Sequence, residues 1–515
     1  MLTKMILLLG FFAVTIFVGF YFRKRASDVS GFVLAGRAVG PWLTAFAYGT
    51  SYFSAVVFVG YAGQFGWKFG TAAVWIGLAN AFIGSLLPWM ILGRRTRIMT
   101  QHLNSATMPE FFGSRFDSRA MKVGASILIF IFLIPYTASL YNGLSRLFAM
   151  AFGVDFTVCI VAMAVLTGIY VIAGGYFATA VNDFIQGFIM LAGTVAVIAA
   201  VLNQNGGFLA ALDSMARIED PSAAPGAYTS FFGPDPLNLL GVMLLTSLGT
   251  WGLPQLVQKF YAIKSEKAIS TGTVISTVFA LVVAGGSYFL GSFGRLYSGR
   301  VDLNAGGYDS IIPTMLSGLP DLLIGLIVIL VLSASISTLS ALVMTSASTF
   351  TLDFLKGALV KEMSGKTQLL LIRALVVVFI LISSVVATMQ YGGSITFIAQ
   401  LMGISWGALA GAFLAPFLYS LYWKRVSNAA VWCCFLFSAA FMVLNIYLKP
   451  SFPPILRSPI NAGAFVMLAG LIIVPLVSAL TRKPGAALVE SCFSCYERTV
   501  SIKISEALGD ENKAG

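Results

Sequence analysis

One carboxylate, Asp183, lies inside an apolar stretch of membrane length, residues 177–202, a turn or two from one end. The nineteen other acidic residues fall in loops, at segment ends or in the tail. A charge inside a bilayer costs at least ~2.5–3.5 kcal/mol, so a retained one marks an ion or solute path. The competing reading is an Asp near the headgroups that caps or pairs locally. A second concentration of polar chemistry follows later in the chain. Ser333, Ser335, Ser337, Thr338, Ser340, Thr345, Ser346, Ser348 and Thr349 crowd one apolar run. Positions 334, 337, 338, 341 and 345 share one face of a helix. Scattered hydroxyls in lipid need only bond back to their own helix, but nine within seventeen residues exceed that use. A dehydrated Na⁺ takes about five or six hard oxygens, which hydroxyls and free carbonyls supply without burying several charges. A proton would instead need a titratable group, and Asp183 offers one.

Free carbonyls require helices that stop inside the membrane. Two apolar runs contain such signals. One carries Gly49, Thr50 and Ser51 near its middle; the other carries Gly249, Thr250, Trp251 and Gly252, then Pro254. Glycine costs about 1 kcal/mol in a helix interior and proline about 3. These clusters mark unwinding, with Gly49, Gly249 and Gly252 as hinges. Unwound backbone at membrane depth survives where it lines a cavity. The alternative is that such glycines only permit close packing, as Gly407 and Gly411 do.

The rest of the chain must hold these pieces in a bilayer. Of 515 residues 58% are hydrophobic and 10% charged, and mean hydropathy is +0.89. Apolar runs of eighteen or more residues recur from end to end, so this is an all-α polytopic membrane protein. It is neither globular nor an alternating β-barrel. Thirteen transmembrane helices are expected, with cores at 3–22, 39–66, 71–93, 121–149, 155–175, 177–202, 236–258, 268–294, 320–350, 369–391, 394–422, 428–448 and 460–481. Spans 2–6 and 7–11 form two sets of five, each opened by an interrupted helix. An odd number per set forces opposite topologies, which makes an inverted 5+5 repeat with a midplane site. The expected units are a leading helix and linker (1–38), the first repeat (39–202), an extracellular loop (203–235), the second repeat (236–425), two trailing helices (426–481) and a cytoplasmic tail (482–515). An outside N-terminus and a cytoplasmic C-terminus put 24 of the 32 basic residues on the cytoplasmic side, as the positive-inside rule demands. The net charge of +12 is thus an orientation signal, with contact to anionic lipid, and not a nucleic-acid footprint. Arg23-Lys24-Arg25 directly behind the first run, with no cleavage pattern, marks a retained span in the cell membrane.

Enzymatic chemistry finds no support. His102 is the only histidine, so neither a triad nor a His metal cluster can be assembled. Cys492 and Cys495 form a lone CxxC, a weak zinc or redox signal. Cys159, Cys433 and Cys434 read as small core residues.

Three stretches carry a family resemblance: Ala334-Ser-Ile-Ser-Thr-Leu-Ser340, Ala173 through Gly187 (AGGYFATAVNDFIQG), and Pro254-Gln-Leu-Val-Gln-Lys-Phe260. With span count and order over roughly residues 1–480, they resemble the sodium/solute symporter family. The resemblance implies a leucine-transporter-like core with one extra leading and two extra trailing helices. It also implies import of a small organic solute coupled to Na⁺ by alternating access. The sodium ligands it implies are the carbonyls of Thr50, Phe53 and Ala334 with the hydroxyls of Ser337 and Thr338. Some members hold a second cation. Here that set maps to Asp183, Ser337 and Ser340, with Ala341 where a third hydroxyl is expected. The run Tyr136 through Phe148 is most similar to the sodium/proline branch, although Tyr52 stands where that branch carries an Asp. The solute is therefore expected to be amino-acid-like, such as proline, with Tyr52, Val57, Tyr136, Trp251, Gln255 and Gln400 around it. The alternatives are a sodium symporter for sialic acid, sugar or vitamin, and a proton-coupled carrier using Asp183. Besides solute, Na⁺ and bilayer, no nucleic acid or obligate protein partner is implied.

Overall fold

The computed structural model describes residues 2–221, 223–303, 307–360, 362–392 and 398–497. Residues 394–397 of the eleventh expected span lie outside that set. So do Lys361, Arg498, Lys503 and Lys513, which entered the orientation argument, and most of the tail. Among the described residues the secondary structure is helical apart from one isolated bridge, Val39 to Ile263.

Ten helices are long and apolar enough to cross a bilayer, eleven if one bent pair counts as a span. Two of the ten are far too long for a single crossing. Val56–His102 has 47 residues and Phe156–Gln204 has 49; at 1.5 Å per residue each approaches ~70 Å against a hydrocarbon core of ~30 Å. Each contains a glycine in a conformation closed to other residues. Gly70 has φ 59° and ψ −137°, and a Cβ there would stand 2.1 Å from the Tyr228 carbonyl oxygen. Gly175 has φ 58° and ψ −163°, and its Cβ would meet that of Ala26 at 2.9 Å. The chain turns at both, because only glycine pays no side-chain penalty there.

The serine-rich helix Asp321–Thr349 sits at the centre. With its π-helical extension it is 83% buried over its most apolar window, and Ile398–Tyr422 is 89% buried; Leu2–Tyr21 and Gly365–Gln390, at 28% and 33%, lie at the periphery. Around the serine-rich helix pack Phe156–Gln204, Arg119–Phe152, Leu2–Tyr21, Gly365–Gly392 and Pro41–Tyr52. A helix carrying nine hydroxyls is tolerable because its neighbours, not lipid, cover them. The leading helix is pinned to it by Lys4, whose ammonium lies 2.9 Å from the Asp321 carboxylate.

Both interrupted helices are broken, the first about a turn after Gly49 and the second between Gly252 and Pro254, inside the expected cluster. Pro41–Tyr52 ends at Phe53, which is extended with φ −90° and ψ 131°. The chain resumes as helix from Val56. Pro236–Gly252 ends at extended Leu253 and resumes at Pro254, with a bend of 43°. In the second case proline sets the position. It lacks an N–H to continue the helix and drives the preceding residue out of the α region. The glycines themselves remain helical and serve close approach. A Cβ on Gly49 would lie 2.5 Å from the Phe279 ring, and one on Gly249 would lie 2.4 Å from the Trp406 ring.

Candidate functional site

The first break is held open by serines. The Ala55 N–H donates to Ser335 Oγ at 3.3 Å, and the Val56 N–H donates to Ser54 Oγ at 3.2 Å. Hydroxyls thus take up amide protons that the interrupted ladder leaves over. On the other side of the break, carbonyls turn toward the serine-rich helix. Thr338 Oγ1 stands 3.2 Å from the Thr50 carbonyl oxygen, 3.3 Å from that of Phe53 and 3.0 Å from that of Ala334. One hydroxyl proton can satisfy only one of three acceptors. Ser337 donates to Thr50 Oγ1 at 2.7 Å, and that hydroxyl donates on to the Phe46 carbonyl at 2.8 Å. All of Thr50, Ser337, Thr338, Ala334 and Phe53 are essentially inaccessible to solvent. The five residues expected to hold sodium therefore lie in one buried cluster, richer in oxygen acceptors than in protons around Thr338, the kind of oxygen-rich setting a hard cation takes.

Asp183 lies nearby, on the second half of Phe156–Gln204, and is 1% exposed. Neither carboxylate oxygen accepts a hydrogen bond. Ser337 gives its proton to Thr50 Oγ1, and Ser340 gives its proton to the Ser337 carbonyl at 2.8 Å. The partner the sequence does not announce is Lys259. Counted above among the cytoplasmic basic residues, it is instead 3% exposed, with its Nζ 4.0 Å from Asp183 Oδ2 and 5.0 Å from the centroid of Tyr176. A long lysine at a helix end reads the same whether it snorkels to water or turns inward. Asp353 repeats the lesson. It closes an expected span end, yet it is fully buried, 3.2 Å from Lys122 and accepting from Thr107 Oγ1 at 2.6 Å.

The six residues expected around the solute divide. Tyr52 and Tyr136 flank Trp406, with ring centroids at 6.0 and 5.8 Å. Both phenol oxygens and the Trp406 Nε1 lack hydrogen-bond partners. Trp406, missed from sequence, is the one aromatic side chain in the run Gly403 to Gly411. Val57 and Gln255 are buried on the resumed halves of the two broken helices, and both amide atoms of Gln255 are unpartnered. Trp251 has its N–H committed to the Ile83 carbonyl at 2.8 Å. Gln400 stands apart: it lines a separate cavity of about 830 Å³ with Gln64, Trp67, Lys68 and Arg295.

A model of the "Sodium:solute symporter family" matches residues 32–436. The chain belongs to that family. The symporter is 27% identical over 489 residues to the osmoregulated proline transporter OpuE of Bacillus subtilis (strain 168), covering 94% of this chain and 96% of that one. It is likewise 27% identical over 500 residues to the sodium/proline symporter of Staphylococcus aureus (strain JH9), covering 93% of each. Among solved structures, a Na⁺-coupled sialic acid symporter in a substrate-bound outward-open state superposes with a TM-score of 0.73 at 17% identity, over 94% of this chain and 99% of that one. The nucleobase-cation-symport-1 family transporter Mhp1, closed around bromovinylhydantoin, superposes at 0.51 and 14% identity, over 89% and 97%. At such identities these structures speak for the fold alone. Family membership makes the protein a sodium-coupled solute symporter, a multi-pass membrane protein and not an enzyme. Sodium, and not the proton of the alternative reading, is its coupling ion.

Proposed function

We propose that this symporter takes up a small amino-acid-like solute, proline first, with one Na⁺ held by the carbonyls of Thr50, Phe53 and Ala334 and the hydroxyls of Ser337 and Thr338. The observation that carries the sodium site is the convergence of three buried carbonyls on the single hydroxyl of Thr338. The solute reading rests on the proline transporters that align end to end with the chain. The unpartnered Tyr52 and Tyr136 hydroxyls and the Gln255 amide supply neutral polar contacts for it. Thirteen helices, counted by dividing the two long helices at Gly70 and Gly175 and joining each broken pair, give the inverted five-plus-five core. The N-terminus then faces outward, Gly49, Gly249 and Gly252 flank the moving breaks, and the segment boundaries are those read from the sequence.

Sodium binding draws the first broken helix against the serine-rich helix and completes the solute site. By linkage each ligand then raises affinity for the other. One Na⁺ crossing ~100 mV releases about 2.3 kcal/mol, and a tenfold gradient adds about 1.4. Together they support an accumulation of several hundredfold, so one ion suffices. The test is thermal unfolding of the purified protein with proline, other amino acids, sugars, sialic acid or vitamins, in Na⁺ or in K⁺. Stabilisation by proline only in Na⁺ is the expected result; stabilisation by another class reassigns the solute, and equal effects in K⁺ remove the sodium site.

A further inference from the structure

We propose that a basic pocket at the membrane surface, between the ends of two spans and the helix Ala486–Phe493, is a phosphate site occupied by the headgroup of an anionic phospholipid. This goes beyond the transport cycle and depends on neither the solute nor the sodium site.

The pocket has a volume of about 290 Å³, and three cations, Lys424, Arg425 and Lys483, line it with one carboxylate, Glu490. Two span ends are stapled together beside it. The Ser427 N–H donates to Ser478 Oγ at 3.1 Å, and Thr481 Oγ1 lies 2.7 Å from Ser427 Oγ. Arg425 Nη2 donates to the Ala479 carbonyl at 2.9 Å, while its Nε is buried without a partner. The guanidinium is thus held in place with a donor to spare. The remaining wall is the helix Ala486–Phe493, docked on the protein by its buried Val489, Cys492 and Phe493. Its N-terminus has no side-chain cap, and Ala486 of its first turn lines the pocket, so uncapped N–H groups add to the three cations. A phosphate can take charge-assisted hydrogen bonds from guanidinium, ammonium and amide donors together. Depth selects its source. The pocket lies where Ile398–Tyr422 and Pro459–Leu480 end, the level of lipid phosphates at the edge of the hydrocarbon core. Leu468, Ile472, Leu476 and Leu480 recur every fourth residue and are all exposed, an apolar stripe that ends three residues before Lys483. A phospholipid can lay its chains along that stripe with its phosphate in the pocket; a free phosphate uses the pocket alone.

The test is native mass spectrometry of the purified full-length protein from mixed micelles holding equal amounts of phosphatidylglycerol and phosphatidylcholine. Wild type is expected to hold one phosphatidylglycerol more tightly than any phosphatidylcholine, by on the order of tenfold or more. Lys424→Gln combined with Lys483→Gln leaves the Arg425 bond to Ala479 intact and should abolish the preference. Glu490→Gln removes the opposing charge from the pocket and should strengthen it. Equal retention of the two lipids by wild type, a measurement that needs no variant to fold, would overturn the proposal. So would an undiminished preference in the double lysine variant. An unchanged preference in Glu490→Gln would take the helix out of the site and overturn it likewise. Displacement of the lipid by inorganic phosphate added to the wild-type sample would assign the pocket to a free phosphate and overturn the lipid as its occupant.

Discussion

Two buried polar clusters touch the serine-rich helix within a few residues of each other, and they balance charge in opposite ways. Around Thr338 there are only dipoles: three carbonyl oxygens and hydroxyls. Around Asp183 there are full charges, a carboxylate and an ammonium 4.0 Å apart. A site made of dipoles can lose its ion without leaving a buried net charge, which a carrier must allow in every cycle. A site made of fixed charges cannot, and is suited to holding parts of the protein in register. On the proposed reading the first cluster holds the transported ion, and the second, with its fixed charges, holds two distant segments of the chain together.

The largest effect expected from breaking this contrast is at the charged cluster. Asp183→Asn leaves the Lys259 ammonium buried without a counter-charge. Removing one partner of a buried pair costs about 3–5 kcal/mol. Purified Asp183→Asn should therefore melt well below wild type and transport poorly, while Asp183→Glu keeps part of both properties. Neutralising the pair together should recover most of the melting temperature. An Asp183→Asn protein as stable and as active as wild type would mean that the two charges do not depend on each other.

At the dipolar cluster the expected effect is smaller and of another kind. Thr338→Ala or Ser337→Ala should raise the Na⁺ needed for half-maximal uptake tenfold or more, as a contact to an ion is worth about 1.5–3 kcal/mol. Stability in the absence of Na⁺ should change little, because removing the hydroxyl strands no buried proton donor. Uptake measured against Na⁺ concentration separates the two cases. Unchanged Na⁺ dependence in both variants would dissolve the contrast on which the assignment rests.

How much of this was legible in the sequence follows from what each signal measures. Hydroxyl spacing places oxygens on a helix face, and family motifs align them, so Thr50, Phe53, Ala334, Ser337 and Thr338 meet as expected. Glycine density measures room for a neighbour, not helix ending. The first break accordingly lies at Phe53, beyond Gly49, whereas the second lies at Leu253, where Pro254 rather than the glycines sets it. Lys259 was illegible because the direction of a long side chain at a helix end depends on tertiary neighbours. Gln400 is expected beside Tyr52 from sequence, and the fold sets it in the separate cavity with Gln64, Lys68 and Arg295.

The glycines beside the breaks give a third, comparable effect that separates packing from hinge motion. A Cβ on Gly252 would lie 2.6 Å from the Leu414 amide nitrogen and 2.9 Å from its Cα, backbone atoms that cannot swing aside. A Cβ on Gly49 would have the Phe279 ring, a side chain and not backbone, as its nearest neighbour. Overpacking of this kind costs about 1–3 kcal/mol. Gly252→Ala is expected to lower folded yield and melting temperature. Gly49→Ala should fold nearly normally and slow uptake instead. Equal loss of stability in both would make the two breaks packing features with no distinct mobile side.

The smallest effect is expected at Ser340, and it bears most directly on how the two clusters are divided. Ser340 lies one turn from Ser337 on the same helix, yet its proton goes to the Ser337 carbonyl at 2.8 Å, whereas Ser337 reaches across to Thr50. A hydroxyl bonded back to its own helix contributes little, and its loss to alanine is nearly neutral, within about 0.5 kcal/mol. Ser340→Ala should therefore leave half-maximal Na⁺ within about twofold of wild type and the Hill coefficient near one. The informative failure is a large shift. If Ser340→Ala moved the Na⁺ dependence as far as Ser337→Ala does, its hydroxyl would be a cation ligand beside Asp183. A mobile ion would then occupy the charged cluster, and the division between the two clusters would fall.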